Sequence, residues 1–400
     1  MKIAKVEVSV VKIPILSEQE KKEKHTSNLY KYISEDYYVL NDRIGVIYSD
    51  NRESVFVKIE SDNGCWGYGE ALAPTSPEIP ASIISDVFAP VLLGKDPYRI
   101  SEIYSTLYNL HRVRGLSTGF AHDALAAVDI ALWDLKARSL GIALYDLAGG
   151  KTKESVPYYL STIKGKTNEE RIEYLDSFVE KGLSRFKLHT LGISFSEDVR
   201  LLECIRKKYS SDSLMVLYDG HWRMTPEEAV KMGNILRDFD VAYYECPIVA
   251  EDVSGHRLLR DRIVTGIAVG ETMRTAVDFI PYTNERIASL LQPDIGRTGL
   301  SQFYDSSILA KANNIRVAPH LSTHIGPALC STLAISFALD TEMVEYQPDS
   351  FAAFCKIGKT PIGFESDGFI HMNENFIGNG CNLDLKELAH FTSIKKVIGR

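Results

Sequence analysis

Residues 214–219 read LMVLYD, and the same kind of ending recurs down the chain: VAYYE (241–245), TGIAVGE (265–271), ASLLQPD (288–294), NIRVAPH (314–320) and TEMVEYQ (341–347). The polar residues at or near the close of these apolar runs are Asp219, Glu245, Glu271, Asp294, His320 and Glu345, spaced 26, 26, 23, 26 and 25 residues apart. An amphipathic stretch follows each of the first five. A strand, a helix and two loops use about 30 residues where about 250 residues make eight units of a barrel. In such a barrel the C-terminal strand ends converge on one mouth, and the catalytic groups sit there. The period therefore predicts an α/β chain with a (β/α)8-type TIM barrel, whose mouth gathers five carboxylates and a histidine.

Working outward, strand 1 is expected at 156–161, strand 2 at 184–189, and strands 3 to 8 are expected to end near 219, 245, 271, 293, 320 and 346. Thr167 with Glu170 and Thr225 with Glu228 are capping-box patterns, the second with Pro226 at the first helical position. Before the barrel, 3–14 and 54–60 alternate like strands, and Asp62-Asn63-Gly64 supplies a turn. DALAAVDIALWDLKARSLG repeats small apolar residues at helical spacing, a packing face. LAGG (147–150) breaks that helix. The expected division is an α+β capping domain over 1–150, a barrel over 151–349 with a weak last helix, and a segment over 350–400 that returns to the cap. Residues 16–50 form a long polar and aromatic stretch. A loop of that length is functional or disordered, so a substrate-covering lid, a disordered insertion and a structural role all stand.

The chain has 400 residues, 45% hydrophobic and 24% charged, the composition of a globular protein larger than one ordinary core. A net charge of −8 speaks against nucleic-acid binding. No apolar run reaches the about 18 residues of a membrane span, and the alternating N-terminus lacks the core of a signal peptide. A cytoplasmic location is the default expectation. The six cysteines form no CxxC pair and read as scattered thiols.

Three acids on adjacent strands, Asp219, Glu245 and Glu271, would repel one another without a cation between them. Ligation by oxygen alone suits a hard cation such as Mg²⁺. One such acid would mean little; three at matched spacing point to a metal site. Asp294 beside His320 makes a carboxylate–histidine pair, the arrangement of a general base near neutral pH. Lys187 and His189, two apart in RFKLH, share a strand face. Lys187 is a candidate to hold a substrate carboxylate, and His189 a candidate second acid/base. His221, two residues after Asp219, is a poor Mg²⁺ ligand and a candidate proton donor to a leaving group. Glu345 is a candidate hydrogen-bonding partner of a substrate carboxylate or a weak acid. The bland alternatives are an inward lysine paired only with an acid, and a His221 of structural role.

Taken together, FKLH, LYDGHW, YYECP, VGE, QPDIGRTGL, VAPH and EYQ, with the ALAAVDIALWDLKAR helix and LAGG, make the chain resemble the enolase superfamily, in its mandelate racemase subgroup of acid-sugar dehydratases and racemases. The resemblance covers nearly the whole chain. It implies removal of the proton α to a carboxylate, with Mg²⁺ stabilising the enediolate. By motif, Asp219, Glu245 and Glu271 would bind the metal. His320, oriented by Asp294, would be the base. Lys187 and Glu345 would lie at the substrate carboxylate. It also implies a homo-oligomer. Racemases of the subgroup usually carry Lys-x-Lys on strand 2; here the second position is His189. Asp219-x-His221 resembles dehydratases of the galactonate and gluconate type. Arg297-Thr298-Gly299 stands where the family commonly has Gly-Gly, and Arg297 is expected to meet either substrate or a neighbouring loop. The leading expectation is a Mg²⁺-dependent dehydratase of a sugar acid, aldonate or aldarate, giving a 2-keto-3-deoxy acid. A racemase, epimerase or cycloisomerase using His320 and His189 is the runner-up, and a non-catalytic sugar-acid binder the remote case. Specificity is expected from the cap, in 16–50 with His25 and its tyrosines, and in 70–78.

Overall fold

A computed structural model describes residues 1–17, 20–21, 30–33, 38–41, 45–189 and 194–399. His25 lies outside them.

The cap is built on long alternating strands. β1 (Ile3–Pro14) is followed by β2 (Tyr30–Tyr32), β3 (Tyr38–Asn41), β4 (Val46–Ser49), β5 (Asn51–Ser61) and β6 (Trp66–Leu72). β5 and β6 turn on Gly64, at φ 80°, as Asp62-Asn63-Gly64 predicts. One face of this sheet packs on the helix Phe120–Leu140. That contact explains two glycines. A Cβ on Gly69 would fall 1.8 Å from the Ala127 carbonyl oxygen, and one on Gly67 2.3 Å from that of Ala131. Small residues on both surfaces let sheet and helix close up.

The barrel follows as β7 (Ser155–Ser161), β8 (Arg185–His189), β9 (Met215–Asp219), β10 (Tyr243–Glu245), β11 (Gly266–Val269), β12 (Leu290–Leu291), β13 (Arg316–Val317) and β14 (Val344–Tyr346). Neighbours from β7 to β13 are parallel, β14 pairs in parallel with β7, and a Val317–Thr341 bridge closes the ring. A helix follows each strand, and the last, Pro348–Cys355, has only 8 residues. β11 and β13 stop short of Glu271 and His320, which lie on the loops just beyond. His320 stays in strand-like register through a parallel bridge to Asp294. Thr225 and Glu228 form the full capping box. Thr167 accepts from the Glu170 amide, but Glu170 turns back to the Lys166 amide.

Strand alternation fills the barrel and then arms it. Leu217, Tyr243, Leu290, Ala318 and Met343 pack inside the ring with Tyr159 and Ala268. Two residues further on, the same inward face presents Asp219, Glu245, Gln292, His320 and Glu345.

The C-terminal part adds β15 (Gly358–Lys359), β16 (Ile362–Phe364), β17 (Phe369–Met372), β18 (Asn382–Leu383) and β19 (Thr392–Gly399). β17 pairs antiparallel with β7, and β19 antiparallel with β1, so the chain end completes the cap sheet. Cap and barrel are tied by buried polar contacts. Asp129 accepts from the Ser301 hydroxyl (2.6 Å) and amide (2.8 Å), and Arg274 Nε donates to Asp123 at 3.0 Å. Glu70 of β6, fully buried, accepts from the amides of Ile325 (2.8 Å) and Ala328 (2.9 Å) at the start of helix Pro327–Ile335, where a carboxylate is favoured by the helix dipole. No helix among the described residues is long and apolar enough to cross a membrane.

Candidate active site

A cavity of about 400 Å³ lies between the barrel mouth and the cap. From the barrel it is lined by Lys187, His189, Asp219, His221, Glu271, His320 and Glu345, and from the cap by Ile15, Asn41, Tyr48, Ser49 and Arg52. The described part of the 16–50 stretch is therefore a three-stranded sheet, β2-β3-β4, that contributes to the cover of the mouth. Residues 70–78, expected to help set specificity, do not line the cavity. They brace the cover from behind, where the Ser76 amide donates to the Tyr38 hydroxyl at 2.6 Å.

His320 is the best-positioned ring. Its Nδ1 lies 2.7 Å from Asp294 Oδ2, and its Nε2 faces the cavity side, 3.4 Å from Glu271 Oε2 and 3.9 Å from Glu345 Oε2. Burial disfavours charge on the imidazole. Glu271, Glu345 and the bond to Asp294 outweigh it and raise its pKa to about 10. Asp294 is fully buried, which also disfavours charge. The charges and hydrogen bonds of His324 and His320 overcome this and hold it well below the usual carboxylate range. Asp294 is thus an ionised anchor for two histidines. The second, His324, has Nε2 2.8 Å from Asp294 Oδ1. Sequence reading did not single out His324, although its place four residues after His320 in VAPHLSTH was a usable signal. A side chain at Gly296 would collide with this ring, its Cβ 2.2 Å from His324 Cε1.

Opposite lies the acidic group. Asp219 and Glu245 are register partners on β9 and β10. Ligand atoms of Glu245, Cys246 and Glu271 lie within 4.8 Å of one another, as do those of His189, Asp219 and His221. The acids fall into two neighbouring sets because Lys187 sits among them. Its ammonium is 2.7 Å from Glu245, 3.1 Å from Glu345 and 3.7 Å from Asp219, at 2% exposure. Gln292, also not singled out from sequence, donates to Glu245 Oε2 at 2.6 Å. Burial, helped by Asp219, Glu271 and Glu345 and opposed by Lys187, pushes Glu245 up to about 8. This buried acid is short of positive charge even with the lysine beside it, so the donor set fits a hard divalent cation.

Glu345 is held by Lys187 and by the Leu321 amide, at 2.8 Å. Burial alone would raise its pKa, but Lys187 and His320 lower it to about 2. It is an ionised acceptor.

His189 and His221 pack edge to face, ring centroids 4.8 Å apart. His189 Nε2 is 3.4 Å from Asp219 Oδ2. The His221 amide donates to Asp219 Oδ1 at 2.8 Å, and its buried Nε2 has no hydrogen-bond partner among the described residues. The turn that carries it is strained. His221 and Trp222 have φ of 50° and 57°, a left-handed backbone that costs about 1–3 kcal/mol per residue and gathers at functional sites. Arg297 does not line the cavity; its charge acts on Asp123 of the cap, the neighbour and not the substrate side.

Comparison with known proteins agrees with this architecture. The enolase C-terminal domain-like family matches residues 170–387, and the mandelate racemase/muconate lactonizing enzyme N-terminal domain matches 43–149. The chain is 28% identical to a D-galactarolactone cycloisomerase of Agrobacterium fabrum, over 75% of this chain and 79% of the other. It is also 28% identical to a D-mannonate dehydratase of Novosphingobium aromaticivorans, over 86% and 92%. The structure of a member of the enolase superfamily from Agrobacterium tumefaciens superposes over 100% of both chains at 26% identity, with a TM-score of 0.88. With both domains matched and the barrel mouth armed as the motifs imply, the chain belongs to the enolase superfamily, in the mandelate racemase/muconate lactonizing enzyme family.

Proposed function

We propose that this protein is a Mg²⁺-dependent dehydratase of a sugar acid. The observation that carries the reading is His320, anchored 2.7 Å from Asp294 with its other nitrogen toward the cavity and the acidic cluster. Asp219, Glu245 and Glu271 would hold the divalent cation. That cation supplies positive charge beside the substrate carboxylate as its α-proton leaves.

With Glu271 compensated by the cation it would hold, the carboxylate that most raises the His320 pKa no longer keeps the ring protonated, and the neutral His320 Nε2 takes the C2 proton of a 2,3-dihydroxy carboxylate, while Asp294 stabilises the imidazolium that results. Lys187, fixed by Glu245 and Glu345, adds a buried positive charge at that end of the cavity. The C2–C3 double bond forms as the C3–O bond breaks. A histidine gives its proton to the departing hydroxyl, which leaves as water, and the enol takes a proton at C3 and loses the one on its C2 oxygen to become the 2-keto-3-deoxy acid. His221 is the better donor, because it lines the cavity and its buried Nε2 has no hydrogen-bond partner among the described residues, whereas His189 is occupied with Asp219. The named relatives support a sugar-acid substrate and include a dehydratase.

His221→Asn is expected to slow formation of keto acid about 10²- to 10⁴-fold while solvent exchange at C2 persists. EDTA is expected to abolish both. His189→Asn should slow product less than His221→Asn. Wild-type turnover by His221→Asn would overturn the assignment of the donor. The second reading, a cycloisomerase or epimerase using His320 and His189, is supported by the cycloisomerase relative and by both rings lining one cavity. Exchange at C2 of recovered substrate with no keto acid would favour it.

A further inference from the structure

Arg52 of β5 lines the same cavity from the cap, away from the strand ends that carry the reacting groups. Among the described residues its buried Nε has no hydrogen-bond partner, and no carboxylate lies within ion-pair distance of its guanidinium. The anion whose charge reaches it is Asp349, and Asp349 already accepts from Lys164 at 2.5 Å. Other arginines packed at the cap, Arg138 and Arg274, sit on Asp134 and Asp123. A guanidinium stays charged, and withdrawing it from water without an acceptor is costly. Burial pulls its pKa down, as expected for a cation short of a counter-ion. The barrel-side groups contrast with it: Lys187 is surrounded by carboxylates and His320 is paired with Asp294.

We propose that Arg52 binds a second, terminal carboxylate of the substrate, so that the preferred substrate is a dicarboxylate sugar acid (an aldarate) and not a monocarboxylate. The inference rests on the sugar-acid reading above and adds its substrate class. One carboxylate sits at the barrel end beside Lys187, the other at the cap end on Arg52, and the carbon chain spans the cavity between them. The fork of guanidinium N–H donors matches the two oxygens of a carboxylate. Arg52 is the only basic residue that the described part of the cap contributes to the lining. A single guanidinium suits a singly charged carboxylate better than a phosphate, which recruits additional cations or backbone N–H groups. A nearby hydroxyl fits the same picture: Thr323 Oγ1, buried at the cavity wall, has no partner among the described residues.

The test uses the full chain with Mg²⁺. Calorimetric binding and kcat/KM are measured for a six-carbon diacid, the corresponding monoacid and its 6-phosphate, on wild type, Arg52→Met and Arg52→Lys. Wild type is expected to prefer the diacid. Arg52→Met should cut that preference about 10- to 100-fold, mostly in KM, and Arg52→Lys should keep part of it, since charge remains without the fork. Thermal melts check folding, and Arg52→Lys keeps the test alive if Arg52→Met is unstable. An unchanged preference in a folded Arg52→Met overturns the assignment, and a wild-type preference for the phosphate overturns the dicarboxylate class. Arg52-dependent diacid binding without C2 exchange on any compound would support Arg52 while sinking the proposed reaction.

Discussion

His320→Asn is expected to lose both C2 proton exchange and keto-acid formation, by a factor on the order of 10⁴. The asparagine amide can still reach toward Asp294, but it cannot accept a proton at the operating pH. The loss should therefore appear in kcat, with substrate binding largely kept. Little stability should go with it. Asp294 retains His324 at 2.8 Å and the Gly296 amide at 2.8 Å, so the anchor is not left unpaired. Exchange followed by proton NMR in D2O, beside a thermal melt, separates these effects. Exchange at the wild-type rate in a folded His320→Asn protein would mean that another group is the base.

Lys187→Met should have the largest effect on the fold as well as on activity. Among the described residues the ammonium is the one cation within 4 Å of both Glu245 and Glu345, 2.7 and 3.1 Å away, and all three residues are buried. Removing one partner of a buried ion pair costs about 3–5 kcal/mol, because the charge left behind has lost its solvent and its counter-ion. A melting temperature lower by several degrees is expected in metal-free protein. Mg²⁺ should recover part of that loss, since a divalent cation compensates the same carboxylates. Catalysis should stay low even with Mg²⁺, because the positive charge beside the reacting carboxylate is gone. An unshifted melt would show that the lysine does not hold these acids together.

Much of this was readable from residue spacing, and the limits of that reading have physical causes. The near-constant interval follows from strand-and-helix units, so it located six residues at or near the barrel mouth at once, and the two-residue alternation within strands placed Lys187 with His189. The same pattern could not tell a strand end from the first loop residues, which is why Glu271 and His320 lie two or three residues past β11 and β13. Lys187 was read as a substrate-holding group with ion pairing as the bland alternative; the structure gives it three carboxylate neighbours. Gln292 and Arg52 escaped notice, and Glu70 was read only as part of the 70–78 specificity segment, because their meaning depends on distant partners. Gln292 serves Glu245 across two strands, Glu70 caps a helix that follows β13, and Arg52 faces the barrel only because the cap folds over it. None of these produces a local periodicity. His324 did leave a trace in VAPHLSTH, as a second histidine at close spacing.

The most direct measurement of the central claim is proton NMR in D2O with Mg²⁺ across C4 to C6 sugar monoacids and diacids. Loss of the C2 proton signal with appearance of a 2-keto-3-deoxy acid, abolished by EDTA and by His320→Asn, is the predicted result. A sugar acid that binds with Mg²⁺ while no member of the set shows C2 exchange or keto acid would contradict it.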